Sequence, residues 1–250
     1  APECDRKSEF PMEVFKEAWK IGLVNPTLPA EYGGPGLSDL DSVLVTEELA
    51  YGCAGIQTRI TANTRGLTPI KLAGSEEQKK KYLGMLMSEP MHVSYATTEP
   101  GAGSDVAGMQ CRAVKQADGG YVLTGTKAWI TNANLSRFYV IFATENPELK
   151  HKGIGAFIVE RDAKGLSIGK HEDKLGQRAS DTAQVMLDGV YVPPAQVLAP
   201  PGHGFKLAME TFNQTRPDIG GIACGIMTRC LHESVKYAKE RKTFGTAVAN

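Results

Sequence analysis

The hydrophobic pattern changes its period twice along these 250 residues, and those changes limit the fold more than any single motif. Up to Pro90 the apolar residues recur at helical spacing. From Met91 to Val192 they alternate or run in short blocks between turn residues. After Gly202 and Gly204 one long helical pattern extends to about Arg241. Helices, then strands, then a helix imply segregated α and β regions rather than alternating βαβ units.

Phe15, Trp19 and Leu23 mark the first amphipathic helix, which ends at Asn25-Pro26 before a loop bearing Pro29, Gly33, Gly34, Pro35 and Gly36. Ser38 is placed to cap the next helix, with Asp41 in support and Leu40, Val43, Leu44 and Leu49 as its apolar side. A third helix is predicted over 56–72. A fourth runs from Ser75, where Gln78 completes a capping box, to Pro90; Lys79, Lys80 and Lys81 are its solvated face. Strands are predicted over 121–131, 138–144, 154–160 and 182–192, with a hairpin at Asp118-Gly119-Gly120. They suit a small antiparallel barrel or sandwich, closed by Pro193-Pro194.

The formal net charge is zero, so no general attraction to nucleic acid or to an anionic membrane is indicated. Cys4, Cys53, Cys111, Cys224 and Cys230 are scattered and never in a Cys-x-x-Cys pair. Neither a zinc site nor a disulfide framework follows, and a reducing compartment fits best. The five histidines show no ligand spacing, no metal is expected, and no stretch has the apolar length for membrane insertion. The chain opens directly into a helix, so a natural N-terminus is expected to precede it.

Two stretches carry chemistry. Tyr95 to Asp105 is a turn rich in hydroxyls and glycines, able to bring backbone N–H groups and Thr or Ser oxygens close to a polar ligand. Lys127 to Asn132 places an indole beside a hydroxyl on a strand. Together they suit a flat heteroaromatic ring with a phosphate tail. The plain alternatives are an ordinary turn and a core Trp. A dinucleotide fingerprint fails because its third glycine would fall at Val106, and no Gly-Lys-Ser/Thr follows.

Thr98-Glu99-Pro100-Gly101-Ala102-Gly103-Ser104-Asp105, followed by Trp129-Ile130-Thr131-Asn132, resembles the paired flavin motifs of the acyl-CoA dehydrogenases, and of their medium-chain members in particular. Further matches fall in order: Glu47 to Gly52, Gly176-Gln177-Arg178, Ser180-Asp181-Thr182, Thr215-Arg216-Pro217 and Arg241 to Gly245. The resemblance implies an α+β multidomain fold. An N-terminal α-helical domain would span 1–92 and a middle antiparallel β-barrel 93–200. The first long helix of a C-terminal helical bundle would span 201–250.

It also implies FAD-dependent α,β-dehydrogenation of an acyl-CoA in fatty-acid β-oxidation. That chemistry needs a base for the Cα proton, hydrogen bonds to the thioester oxygen and an acceptor for the hydride leaving Cβ. By similarity Tyr95, Thr97, Thr98, Gly103, Ser104, Trp129, Ile130 and Thr131 bind FAD. Trp129 covers one ring face and Thr131 reaches N5. Arg241, Thr243 and Phe244 belong to the segment that meets a neighbouring subunit's FAD in a homotetramer. Ser104, Asn213, Thr215 and Arg216 would contact the acyl-CoA. Gln57, Thr61 and Arg65 fall at the closed end of its acyl pocket, where Arg65 either makes the floor polar or snorkels away. Gly220, Gly221 and Gly225 are either a close helix contact or room for a thin ligand.

No base is visible. The family uses a Glu, either at the place of Thr215 or in a loop that would lie beyond Asn250. Glu99 and Asp105 read as turn residues, and Glu210 is the remaining candidate. The chain is therefore expected to be a part of such an enzyme, inactive as given, with electron-transfer flavoprotein as the whole enzyme's partner. The expected compartment is the mitochondrial matrix in a eukaryote or the cytoplasm in a bacterium. The other readings are a non-enzymatic flavin or acyl-CoA-binding module and an acyl-CoA oxidase.

Overall fold

The computed structural model describes residues 1–249. Five helices open the chain: α1 (Pro2–Lys7), α2 (Met12–Lys20), α3 (Asp39–Gly52), α4 (Ala54–Thr61) and α5 (Asn63–Ala73). The helix predicted over 56–72 is thus two, meeting at Ala62. A further helical run joins α6 (Glu76–Gln78) to α7 (Gly84–Ser88) through a π-helical turn at Lys79–Leu83. Both capping boxes form. Ser38 Oγ accepts from the Asp41 N–H and Ser75 Oγ from the Gln78 N–H, and each partner side chain accepts from the cap N–H in return.

The buried side of α3 is not the predicted one. Leu40 and Leu44 are 68% and 54% exposed, while Ser42, Thr46 and Ala50 turn inward. The cause is α8 (Gly204–Glu240), which packs on α3 through glycine. A Cβ on Gly221 would lie 2.9 Å from the Val43 carbonyl oxygen, and one on Gly225 only 2.2 Å from that of Glu47. Backbones approach that closely only where small side chains line the contact. Gly221 and Gly225 are therefore a helix contact and leave no room for a ligand. Gly220 faces open space, and α8 continues through Pro217.

Eight strands form one sheet: β1 (His92–Ala96), β2 (Arg112–Lys115), β3 (Tyr121–Thr131), β4 (Ser136–Thr144), β5 (Ile154–Glu160), β6 (Leu166–His171), β7 (Thr182–Val192) and β8 (Val197–Ala199). The order is β6-β7-β3-β2-β4-β5-β8, with β1 added on β4. The expected layout of helical region, sheet and long helix stands, with two refinements. β1 and β2 pair parallel to β4, and among the described residues no ladder joins β6 to β8, so the barrel is open. The chain also pairs once more after Pro193-Pro194, where β8 joins β5.

β4 shows why its sequence is apolar throughout. Phe138, Val140 and Phe142 face a core shared with α5, α7 and α8, while Tyr139, Ile141 and Ala143 face the core between the strands. A strand covered on both sides loses its alternation. Gly66 of α5 fits against β1 because a Cβ there would meet Val93 at 2.7 Å. The chain ends in a hairpin, β9 (Lys242–Thr243) with β10 (Thr246–Ala247), turned by Phe244 (φ 54°) and Gly245 (φ 81°).

Candidate active site

β1 delivers Thr97 and Thr98 to the start of the glycine loop, and Glu99 ties that loop down. Its carboxylate accepts from the N–H groups of Gln110 (2.6 Å) and Cys111 (3.0 Å) and from Lys127 Nζ (2.7 Å). Lys127 Nζ also donates to the Thr97 carbonyl at 3.1 Å. Both charged side chains are buried, so this is a closed, satisfied ion pair. Glu99 is therefore an anchor of the loop. Burial pushes the adjacent Cys111 thiol up to about 11.

Two residues after Lys127 the strand changes character. The β3–β7 register slips between Lys127 and Ile130, and within that bulge Trp129 adopts φ 60°. A bulky side chain in this region carries strain of about 1–3 kcal/mol. Trp129 is 58% exposed, so the core role usual for a strand Trp does not apply. Its neighbours Ala128 and Ile130 are buried.

Trp129 borders a cavity of 330 Å³. Tyr95, Thr97, Thr98, Gly103, Ile130 and Thr131 share that wall; Ala62, Arg65, Phe212, Thr215, Arg216 and Ile219 form the other. Tyr95 Oη and Thr97 Oγ1 are buried without a hydrogen-bond partner in the protein. Unsatisfied buried hydroxyls are disfavoured, and both of these belong to residues that line the cavity. Burial pushes the Tyr95 phenol well above its usual value, so it stays a neutral hydrogen-bonding group. Its ring is held by Phe142 and Phe212, at 5.1 and 5.7 Å between centroids.

Seven of the eleven residues expected to hold the cofactor therefore meet on one cavity. The other four do not line it. Ser104 stands exposed beside the loop, and Arg241, Thr243 and Phe244 lie exposed at the far end of α8, about 40 Å along the helix from Thr215. Among the expected substrate residues, Thr215 and Arg216 line the cavity. Thr215 Oγ1 donates to the Thr211 carbonyl at 3.0 Å, and the Arg216 guanidinium sits 5.3 Å from the Phe212 ring centre. Asn213 is exposed away from the cavity. Gln57 and Thr61 are buried and joined to each other by a 2.6 Å hydrogen bond, off the cavity lining. Glu210, the remaining candidate base, is exposed and lies 3.7 Å from Lys206, away from the cavity.

Three sequence models cover the chain almost end to end. They describe the N-terminal, middle and C-terminal domains of acyl-CoA dehydrogenase and match residues 1–90, 94–190 and 202–250. A probable medium-chain specific acyl-CoA dehydrogenase 2, mitochondrial, of Caenorhabditis briggsae is 46% identical over the whole chain. The chain belongs to the acyl-CoA dehydrogenase family. It spans 62% of that relative's length. Butyryl-CoA dehydrogenase from Megasphaera elsdenii superposes with a TM-score of 0.94 at 34% identity, over 99% of this chain and 65% of that one. An acyl-CoA dehydrogenase complexed with FAD from Bacillus anthracis gives a TM-score of 0.88 at 36% identity, over 95% and 41%.

Within this acyl-CoA dehydrogenase family member, the sequence reading had not singled out Ala62, Val106, Phe212 or Ile219, all of which line the cavity. Phe212 and Ile219 could have been found from helical spacing, since positions 212, 215, 216 and 219 share one face. Val106 has no such signal. Lys127 carries the signal of its strand, since it shares parity with the buried Tyr121 and Leu123. No carboxylate lines the cavity, and among the described residues no group of three or more His, Cys, Asp or Glu is placed to hold a metal. No described helix is long and apolar enough to cross a membrane.

Proposed function

We propose that the cavity is the meeting place of FAD and an acyl-CoA thioester, and that the parent reaction is α,β-dehydrogenation in fatty-acid β-oxidation, with medium-chain substrates first among candidates. The supporting observation is the wall itself, where a strained, exposed indole and two buried, unpartnered hydroxyls share one cavity. When bound, FAD supplies the two-electron acceptor that no side chain can provide. Tyr95, Thr97 and Thr98 offer hydroxyls and amides to the ring's polar edge, Trp129 offers a stacking face and Thr131 a hydrogen bond. Gly103 and Ile130 complete that wall. Arg216 and Thr215 bound the thioester end, and Ser104 and Asn213 serve the CoA arm. Arg241, Thr243 and Phe244 serve the flavin of a neighbouring subunit.

Proton abstraction is a different matter. The Thr215 hydroxyl donates to a carbonyl and is far too weak a base. The base is placed outside this sequence, on a Glu in the part of the relatives' length that the chain does not span. Residues 1–250 alone are then inactive. The whole enzyme is a homotetramer that hands electrons to electron-transfer flavoprotein, in the mitochondrial matrix if the source is a eukaryote.

The test is anaerobic. FAD is titrated onto the protein by fluorescence, then octanoyl-CoA is added and the flavin absorbance followed. Saturable FAD binding is expected, with no bleaching for residues 1–250 and full bleaching for a chain that carries the Glu. Failure of FAD to bind either form rules the reading out. The cavity's lack of a carboxylate also suits a non-enzymatic binding module, which would bind both ligands and bleach in neither form. Repeated in air, steady peroxide release with acyl-CoA would instead mark an oxidase.

A further inference from the structure

Arg65 is a cation on this cavity whose counter-charge, Asp218, lies outside the cavity lining. It projects from α5 and lines both the 330 Å³ cavity and an adjoining one of 520 Å³, which also share Trp129, Thr131 and Ile219. Neither is lined by a carboxylate. Of the two expectations for Arg65, the cavity linings favour a polar floor over a side chain that snorkels away. Burial depresses its pKa, as it must for a cation taken out of water.

The nearest compensation is partial. Asp218, one turn beyond Thr215 on α8, is buried and acts on Arg65 through space without a hydrogen bond. Burial raises the Asp218 pKa, which further weakens it as a counter-ion. Arg216 adds a second guanidinium on the same wall. An acyl cavity for plain alkyl chains needs no such feature, because a desolvated cation against a methyl terminus loses its hydrogen bonds and gains none. A guanidinium offers five donors in a fixed fork, a geometry that matches a carboxylate.

We propose that Arg65 is a specificity-determining residue that makes this cavity select acyl-CoA thioesters bearing a carboxylate on the acyl chain over those ending in methyl. The inference rests on the acyl-CoA reading above and narrows it. Asp218 keeps Arg65 tolerable in the empty cavity, and the substrate carboxylate becomes the better partner on binding. The Ile219 side of the wall stays apolar, so the chain between thioester and carboxylate is expected to be a hydrocarbon.

The experiment uses redox-inert thioethers and the FAD-loaded protein. S-hexyl-CoA is compared with its analogue in which the terminal methyl is replaced by a carboxylate, together with shorter homologues of both, by titration calorimetry. For at least one chain length the carboxylate form should bind about tenfold or more tightly, the scale of a hydrogen bond to a charged group. Arg65→Leu should abolish or reverse that preference, and Arg65→Lys should keep a reduced one, since Lys is a point charge without the fork. Arg65→Leu combined with Asp218→Asn guards against a fold left with an unpaired carboxylate, and flavin absorbance reports that the fold and cofactor are retained. Equal or tighter binding of the methyl form at every length, or a preference that survives Arg65→Leu, overturns the proposal. Binding of neither series to FAD-loaded protein removes the acyl-CoA reading, and this proposal with it.

Discussion

Strand β3 carries two polar regions of opposite kinds, six or seven ångströms apart in chain terms of about 3.3 Å per residue. At Lys127 both members of a buried charge pair find hydrogen-bond partners inside the protein. At Trp129, and on the cavity it borders, the backbone is strained and the hydroxyls of Tyr95 and Thr97 lack partners. Closed polar networks hold the fold, whereas open ones on a cavity wait for a ligand. The same stretch of sequence encodes both, and burial alone does not separate them: Lys127 and Thr97 are both buried.

The sharpest way to break this contrast is Lys127→Met. Leaving Glu99 buried and unpaired should cost about 3–5 kcal/mol in urea denaturation. Adding Glu99→Gln should recover a good part of it. A loss under about 1 kcal/mol would mean the pair is not the closed structural unit described.

His92 tests the contrast from the other side. Both its ring nitrogens are buried without partners, yet it lines neither of the cavities described above and its ring centre is 4.0 Å from that of Phe15. Burial, with Arg59 nearby, lowers its pKa from 6.5 to about 3. The folded state therefore holds the neutral ring, and below pH 6.5 the unfolded chain gains a proton that the folded one refuses. Stability from this group is intact above pH 6.5 and falls as pH drops towards 3. Between pH 7 and pH 5 the loss should approach about 2 kcal/mol, and His92→Gln should flatten that slope. An unchanged slope would show that His92 titrates freely.

Smaller effects should appear on the cavity itself. Thr97→Val removes a hydroxyl with no partner, so stability should stay within about 0.5 kcal/mol while FAD affinity falls about tenfold. Equal loss of both would return Thr97 to the structural class. Trp129→Gly should raise stability by at most about 1 kcal/mol through relief of strain, with the flavin lost. Destabilisation would show that the indole packs more than its 58% exposure suggests.

Much of this was legible beforehand, for physical reasons that differ by element. β3, β5 and β7 were bounded as found because turn residues flank them, and both capping boxes follow from local chemistry alone. The cofactor wall was legible because its residues lie in two short motifs. The apolar side of α3 was not, since its burial is decided by the glycines of α8, distant in sequence. Nor could spacing reveal that Arg65 lines the cavity under the influence of Asp218, because both depend on how α5 meets α8. The bulge that turns Trp129 outward shifts the buried parity of β3 between Lys127 and Ala128, which the residue types there do not announce.

The glycine contact between α3 and α8 also has a mechanical side. With Gly221 and Gly225 pressed on the α3 backbone, that contact is a fulcrum, and the sixteen residues from Gly225 to Arg241 form an arm of about 24 Å. A tilt of about 5° at the fulcrum swings the terminal hairpin by about 2 Å over that arm. Any added methyl at the clamp would be felt as a displacement of Phe244, far from where it was introduced.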